Sequence, residues 1–379
     1  MRRFIFWSFL VLVALSVQMT QAAEVRLFIL AGQSNAYGQP VYPDDNPPVL
    51  PGDASIGYYF AGNTPVGTEA TLATRYDNIV GPEVGLGRAL QAALPGQKIA
   101  IYKYAVGGTA LGEWQKVGGL IYPKFISGVQ SFENTIIAQG DTPVLSGFAW
   151  SQGENGATNN WDAWAWADNH NDPIAWRFRE DTRQFITDVR TDLGAPSMFA
   201  METRISDLFY NSQSLSATVA AQQNEITNTL PLVIACIDHR RREQEAVPTV
   251  LSRCALVSQD GVTHYPLDDP AYPQWWYHFT PSSYLMVGGR MATAYLDNAF
   301  LKGDANRDDH VTFADYQILE AHFGQTGQTW LTGDFDKDGT VTFADYQALE
   351  ANFGQSTAPE PATLGLLAAG ALALIRRRR

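Results

Sequence analysis

Ser34 is the first residue with a clear chemical possibility, because it stands where an apolar run breaks into a polar turn. The stretch reads "FILAGQSNAYGQ", Phe28 to Gln39. A serine hydroxyl at such a turn can attack a carbonyl if a histidine takes its proton and N–H groups stabilise the oxyanion. Ala36 stands where a G-x-S-x-G elbow has its second glycine. Ser34 alone therefore does not distinguish a nucleophile from a structural turn.

Two later segments place suitable partner groups after predicted strands. "AVGGTALGEW" puts Gly107 and Gly108 at a strand end, where glycine lets a backbone N–H approach a ligand closely. "WSQGENGA" puts Gln152 and Glu154 after the next strand. The Gln152 amide could donate to an oxyanion, and the Glu154 carboxylate could orient a partner or bind substrate. Since ligands of parallel sheets bind beyond the carboxyl ends of the strands, these groups are expected to converge.

The general base must come from six histidines. His278, in "WWYHFTPSSYLMVGGRMA", lies just before the last long predicted helix and is preferred over His264. The remaining four fit less well, since they lie in two C-terminal repeats, in a Trp-rich insertion or beside an Arg cluster: His310, His322, His170 and His239.

Short apolar runs alternate with amphipathic stretches from residue 25 to about 300. The predicted strands are 26–30, 98–105, 144–150, 198–204 and 232–237. The predicted helices are 83–94, 124–138, 174–193, 213–228 and 281–300, the last with Thr280 as N-cap and Pro281 at its first position. This alternation predicts an α/β fold with a parallel sheet covered by helices on both faces.

Five ordered blocks in residues 23–300 resemble the sialate O-acetylesterase-like branch of the SGNH hydrolases: "GQSN", "GPEVGLGRAL", "VGGTALGEW", "WSQGEN" and "HFTPSSYLMVGGRMA". The resemblance implies a three-layer, flavodoxin-like α/β/α sandwich that hydrolyses acetyl esters of poly- or oligosaccharides without a catalytic cofactor. It also implies an acyl-enzyme on Ser34, with His278 as base. The implied oxyanion donors are the Ser34 N–H, one of Gly107 and Gly108, and Gln152.

One departure from the family concerns the orienting carboxylate. The family usually has Asp three residues before the histidine, whereas this chain has Trp275. Asp268 or Asp269 could supply the carboxylate from a longer loop, Glu154 could do so, or the pair could be a Ser–His dyad. Because losing this group can reduce turnover on the order of 10⁴-fold, a non-catalytic carbohydrate-binding module on the cell surface is the alternative function.

Four tryptophans follow the Gln152 segment: Trp161, Trp164, Trp166 and Trp176. Their faces could stack on sugar rings, or they could pack an irregular insertion onto the domain.

Residues 301–356 contain a repeat, "GDANRDDHVTFADYQILEAHFG" and "GDFDKDGTVTFADYQALEANFG". Oxygen-bearing residues follow the spacing of an EF-hand-type Ca²⁺ loop. The first loop has Asp309 where the sharp sixth position favours glycine. The pair resembles a type I dockerin, which implies a small all-α domain, one structural Ca²⁺ per repeat and a cohesin-type partner. A Ca²⁺-dependent scaffold protein is a third, less favoured function. The predicted ligands are Asp304, Asn306, Asp308, His310, Thr312 and Asp315, then Asp334, Asp336, Asp338, Thr340, Thr342 and Asp345, with His310 and Thr340 contributing their backbone carbonyls.

Both ends of the chain carry export features. Residues 1–22 have a basic start, an apolar stretch and small residues, which is typical of a signal peptide. Residues 357–379 resemble a PEP-CTERM signal read by a membrane sorting enzyme, with an apolar run short for a span. A membrane anchor is the alternative at either end. We therefore expect an exported, extracellular or cell-surface protein.

The net charge and the cysteines bear on two further questions, a nucleic-acid partner and a disulfide bond. The net charge of −13 argues against a nucleic-acid partner, because phosphate binding requires clustered basic residues. Cys236 and Cys254 could form a disulfide or remain free thiols.

Overall fold

The computed structural model describes residues 22–40, 47–62, 70–74, 79–155, 177–206, 230–264 and 278–357. The strands are β1 Glu24–Gly32, β2 Gln39–Pro40, β3 Ile56–Gly62, β4 Ala70–Thr71, β5 Ile79–Val80, β6 Lys98–Ala105, β7 Thr142–Ser151, β8 Phe199–Arg204 and β9 Cys254–Ser258. The α-helices are α1 Ser34–Tyr37, α2 Pro82–Ala93, α3 Tyr122–Ala138, α4 Phe178–Asp192, α5 Leu230–Val250, α6 Pro281–Asn298, α7 Phe313–His322 and α8 Phe343–Asn352. Short 3₁₀ turns span Pro51–Ser55, Leu72–Thr74, Leu111–Trp114 and Trp330–Thr332.

The main sheet has the order β4-β3-β6-β1-β7-β8-β9. All of its neighbours are parallel except β3 and β4, which are antiparallel. The strands β6-β1-β7-β8-β9 follow the flavodoxin-like order 2-1-3-4-5, with β3 added outside. After β1 the chain adds strands on one side of it, β3 and β6, and then crosses over to add β7, β8 and β9 on the other side. The crevice beyond the carboxyl ends of β1 and β7, where the direction changes, is therefore the expected ligand position.

Helices cover both faces of the sheet and complete the predicted three-layer α/β/α arrangement. One apolar cluster combines Phe28 and Leu30 with residues of α2 and α6, including Leu90 and Tyr284. The other combines Leu27 and Ile29 with residues of α3, α4 and α5. Successive residues of β1 thus enter opposite clusters, as the two-residue period of a strand requires.

The prediction of a strand at 232–237 was wrong, because these residues belong to helix α5. A six-residue apolar run fits a buried strand or a helix equally well. The helix is recognisable only when the charged residues that follow the run are included in the same element. Strand β9 takes the predicted place in the sheet, and β3 was not predicted. The helix predicted at 213–228 lies outside the described residues. Cys254 is a free, half-buried thiol, so the disulfide alternative is not realised.

The two repeats form similar loop–helix units. Thr312 and Thr342 cap α7 and α8 by accepting a hydrogen bond from the backbone N–H two residues later. Buried side chains of both repeats, including Val311 and Leu349, belong to the same apolar cluster as Phe28 and Tyr295. Residues 301–357 therefore share a core with the sheet domain.

Among the described residues, no helix is both long enough and apolar enough to span a membrane.

Candidate active site

Ser34 lies at the carboxyl end of β1, as the first residue of the one-turn helix α1. It is half-buried, whereas its neighbours Gln33 and Asn35 are buried. Gly32 has φ 145°, and a Cβ there would lie 1.9 Å from the carbonyl oxygen of Ser151. Only glycine lets β1 turn this close to β7, so Gly32 is what allows the serine to leave the strand at this point.

Backbone hydrogen bonds join the β1 loop to both neighbouring loops. The Val106 N–H donates to the Gly32 oxygen at 3.0 Å, and the Gln33 N–H donates to the Ser151 oxygen at 3.0 Å. These bonds extend the ladder past the strand ends, so the segments carrying Ser34, Gly107 and Gln152 share one edge of the sheet.

The Gly107–Gly108 segment is exposed and lies directly after β6. Gly108 has φ 72°, and an added Cβ would meet nothing within 4 Å. Its backbone therefore borders open space, as a donor to a bound ligand must. Asn155 holds this segment from the β7 side, since its amide donates to the Gly108 oxygen at 2.6 Å.

The Gln152 side chain is buried beneath the same edge. Its Nε2 donates to the Thr109 oxygen at 3.0 Å and, more weakly, to Gln33 Oε1 at 3.5 Å. Gln33 Oε1 also accepts from the Asn155 N–H at 3.2 Å. The Gln152 amide thus links all three loops, and only its longer bond would have to be released for a hydrogen to reach a ligand.

Glu154 is buried and bound to the residue next to the serine. Its Oε1 accepts from Asn35 Nδ2 at 2.8 Å. Burial raises the pKa of the Glu154 carboxyl, while the Asn35 donor and the nearby Arg240 charge oppose that rise. The Asn35 Oδ1 accepts from the Tyr284 hydroxyl at 3.1 Å, which connects this network to α6.

His278 is buried in the segment that enters α6. The next residue, Phe279, forms an antiparallel bridge with His264, and their rings pack edge to face at 5.0 Å. Burial, with a smaller effect of His264, lowers the pKa of His278 to about 4. The imidazole is therefore neutral at pH 7 and able to accept a proton.

The structure thus brings Ser34, Gly107, Gly108, Gln152 and Glu154 to one edge of the sheet. His278 precedes by six residues Tyr284, whose hydroxyl donates to Asn35 at this edge. Asp268 and Asp269 lie outside the described residues, as do Trp161, Trp164, Trp166 and Trp176. Sequence reasoning missed Gln33, Asn35, Asn155 and Tyr284. The signal for the first two was available, because polar residues on both sides of a candidate nucleophile must be paired if they are buried.

Comparison with protein families then identifies the domain. Residues 24–297 match the model of the carbohydrate esterase, sialic acid-specific acetylesterase family. The chain belongs to this acetylesterase family. It is a carbohydrate O-acetylesterase by this membership. Residues 357–379 match the PEP-CTERM protein-sorting motif, which suggests export and cell-surface sorting of the acetylesterase.

The solved structures to which the acetylesterase is similar have low sequence identity to it. A protein from Arabidopsis thaliana is 21% identical, with a TM-score of 0.49 over 72% of this chain and 98% of that one. A carbohydrate acetylesterase from Xanthomonas citri is 17% identical, with a TM-score of 0.45 over 73% of this chain and 56% of that one. NanS is 15% identical, with a TM-score of 0.47 over 73% and 98%. No curated protein matches the sequence.

The repeat loops concentrate carboxylates outside the acetylesterase site. Carboxylate oxygens of Asp334, Asp336 and Asp338 lie within 4.8 Å of one another. Asp334 Oδ1 is buried and has no hydrogen-bond partner among the described residues. In the first loop, burial and then the charges of Asp308, Asp309 and Asp315 raise the pKa of Asp304 to about 7. These oxygens fit a hard divalent cation, which would relieve their repulsion.

Proposed function

We propose that this chain is an exported serine esterase that removes acetyl groups from carbohydrates through an acetyl-enzyme. Ser34 is the nucleophile and His278 the general base. The observation that carries the proposal is the position of Ser34, because its half-buried hydroxyl stands at the switch point of the sheet, beside exposed backbone and a bound amide.

In the first half-reaction, Ser34 Oγ attacks the acetyl carbonyl carbon while His278 takes the hydroxyl proton. The N–H groups of Ser34 and of the Gly107–Gly108 segment, with Gln152, stabilise the oxyanion. Collapse breaks the bond to the sugar oxygen, which receives the proton from His278. Water then attacks the acetyl-serine, His278 takes its proton, and acetate leaves as Ser34 regains the hydrogen.

In this scheme the carboxylate that orients His278 is that of Asp268, Asp269 or Glu154. The alternative is a Ser34–His278 dyad without an orienting carboxylate. Glu154 accepts from Asn35 through Oε1, and a carboxylate has further acceptor sites, so this bond does not decide between Glu154 and the two aspartates.

The test uses residues 23–357, because the repeats share a core with the sheet. Turnover of 4-nitrophenyl acetate and of acetylated xylan is measured for wild type, Ser34→Ala and Ser127→Ala. Ser127 is an exposed helix serine whose hydroxyl donates to the Lys124 oxygen, so its variant controls for loss of a hydroxyl. We expect turnover to vanish only in Ser34→Ala. Equal turnover in all three proteins would refute the proposal.

We propose further that each repeat binds one Ca²⁺ and that the pair acts as a dockerin. The clustered carboxylates and the buried, unbonded Asp334 Oδ1 support the ion sites. When bound, Ca²⁺ would hold the loops through these oxygens. The two matching phenylalanines Phe313 and Phe343, each 60% exposed, support a protein-binding surface.

Calorimetry tests both parts of this proposal. Ca²⁺ titrated into chelator-treated protein is expected to bind at two sites, with Asp334→Asn losing one and Asp188→Asn losing none. A purified type I cohesin is then added with and without Ca²⁺. Absence of any Ca²⁺ binding would refute the ion sites, and absence of Ca²⁺-dependent cohesin binding would refute the partner.

A further inference from the structure

Asn35 follows the proposed nucleophile and is 1% exposed. Its side chain is too buried to touch a substrate, but both ends of its amide are engaged. Nδ2 donates to Glu154 Oε1 at 2.8 Å, and Oδ1 accepts from the Tyr284 hydroxyl at 3.1 Å. An amide used at both ends fixes its own orientation, and so fixes the backbone that carries it.

The two partners of Asn35 come from different parts of the fold. Glu154 lies three residues past the end of β7, in the segment that carries Gln152. Tyr284 lies in the first turn of α6, six residues after His278. One side chain therefore connects the nucleophile turn, the proposed oxyanion segment and the segment that presents the base.

The helix that carries Ser34 has little stability of its own. It spans four residues, and Gln33 at its N-cap makes no side-chain capping bond. A single helical turn is marginal without outside contacts, because nucleation is costly. Its direction must therefore come from the buried side chains on either side of Ser34, Gln33 and Asn35.

We propose that Asn35 is a positioning residue, which sets the direction of Ser34 relative to His278 through its paired bonds to Glu154 and Tyr284. This inference rests on the proposed function. Small errors in the angle between nucleophile and base reduce the rate of the chemical step while leaving substrate binding nearly unchanged.

An exchange of amide and carboxyl tests the inference. Asn35→Asp places two carboxyl groups together, and Glu154→Gln leaves two amides that can still pair weakly. The double variant Asn35→Asp/Glu154→Gln restores both bonds, since the new amide donates to the new carboxylate, which still accepts from Tyr284. We expect Asn35→Asp to lower kcat about a hundred-fold with KM within two-fold, and the double variant to recover most of that loss.

Tyr284→Phe is the milder variant, with Tyr122→Phe as its matched control. The Tyr122 hydroxyl donates to Asp192 at 2.9 Å, so each variant loses one hydroxyl bond. We expect Tyr284→Phe to lower kcat about five-fold, the effect of one hydrogen bond, and Tyr122→Phe to leave kcat unchanged. Both should lower the Tm by similar amounts.

The outcomes separate this inference from the function beneath it. Turnover that survives Ser34→Ala refutes the proposed function, and this inference with it. Ser34-dependent turnover that Asn35→Asp leaves unchanged refutes the inference alone. A double variant no more active than Asn35→Asp also refutes it, because Glu154 then acts as a carboxylate in its own right and not through Asn35.

Discussion

The two ends of strand β1 are held by different kinds of contact. At the carboxyl end, neutral amide bonds among Gln33, Gln152 and Asn155 join three loops around the half-buried Ser34. At the amino end, the buried Arg26 guanidinium contacts Asp309 of the first repeat at 2.5 Å. Arg26 also donates to the Arg307 oxygen at 2.9 Å.

The carboxyl end of β1 therefore serves the proposed catalytic site, and the amino end contributes to the stability of the fold. The carboxyl end must leave the nucleophile and the Gly107–Gly108 backbone open to a ligand, and its loops are joined by neutral amide hydrogen bonds. The amino end is closed by the repeats, where an ion pair out of water adds to a shared apolar core. Variants at the two ends should therefore change different measurements.

The largest expected effect is that of His278→Ala at the carboxyl end. Without the proposed base, kcat should fall about 10⁴-fold, while the Tm should fall less than it does for Arg26→Met. His322→Ala, in helix α7, serves as the control and should retain full turnover. A His278→Ala protein with near wild-type kcat would show that another group accepts the proton, and His264 would be the next variant to measure.

Arg26→Met should show the opposite pattern. Removing one partner of a buried ion pair leaves Asp309 with an uncompensated charge, so the free energy of unfolding should fall by about 3–5 kcal/mol. The double variant Arg26→Met/Asp309→Asn should lose less. Urea unfolding measures the stability, and kcat at 25 °C should stay within two-fold. If Arg26→Met lost kcat but kept its free energy of unfolding, the proposed difference between the two ends of β1 would be wrong.

Gln152→Ala sharpens the comparison within the carboxyl end. Removing a donor from an oxyanion site typically lowers kcat about 10²- to 10³-fold. Gln259→Ala is the matched control, because that amide donates to Ser151 Oγ at 3.2 Å on the neighbouring segment. If both variants lose the same modest amount of kcat, Gln152 only supports the loop.

The pH dependence should show the smallest effect. With the pKa of His278 lowered to about 4, kcat/KM should fall by only about a tenth between pH 7 and pH 5. A carboxylate paired with the imidazole, as Asp268 or Asp269 would be, raises that pKa. An inflection near 6.5 would lower kcat/KM about twenty-five-fold between pH 7 and pH 5. The pH profile thus distinguishes a dyad from a triad.

The same lowered pKa affects stability. The unfolded chain binds the His278 proton at a higher pH than the folded one, so protonation favours unfolding. Stability from this group is present above pH 6.5 and is lost as the pH falls toward about 4.

The sequence predicted the parts of the fold that depend on local pattern. Strands β1, β6 and β7 are mainly apolar runs, and α6 begins at Pro281 as expected. Ser34 and Gln152 could be assigned to strand ends for the same reason. The run at 232–237 failed because its helical character depends on residues beyond it.

The sequence could not predict contacts between residues that lie far apart in the chain. No local pattern pairs Asn35 with Tyr284, 249 positions apart. The shared core is a similar case, because Val311 and Leu349 fit a self-contained repeat as well as they fit a joint cluster. Asp309, at φ 70°, departs from the favoured glycine and uses its side chain to bind Arg26.

The last described residues return to this same place. The Thr357 N–H donates to the Asp309 oxygen at 2.9 Å, and the Ser356 hydroxyl to the same atom at 2.8 Å. Thr357, the last described residue, therefore lies next to Asp309, which contacts Arg26 near the amino end of β1. Seven residues of β1, Arg26 to Gly32, separate this point from the turn that carries Ser34, roughly 23 Å of strand. The described chain thus ends at the opposite end of β1 from the proposed nucleophile, so a tether that follows Thr357 would not have to cross the edge that carries Ser34.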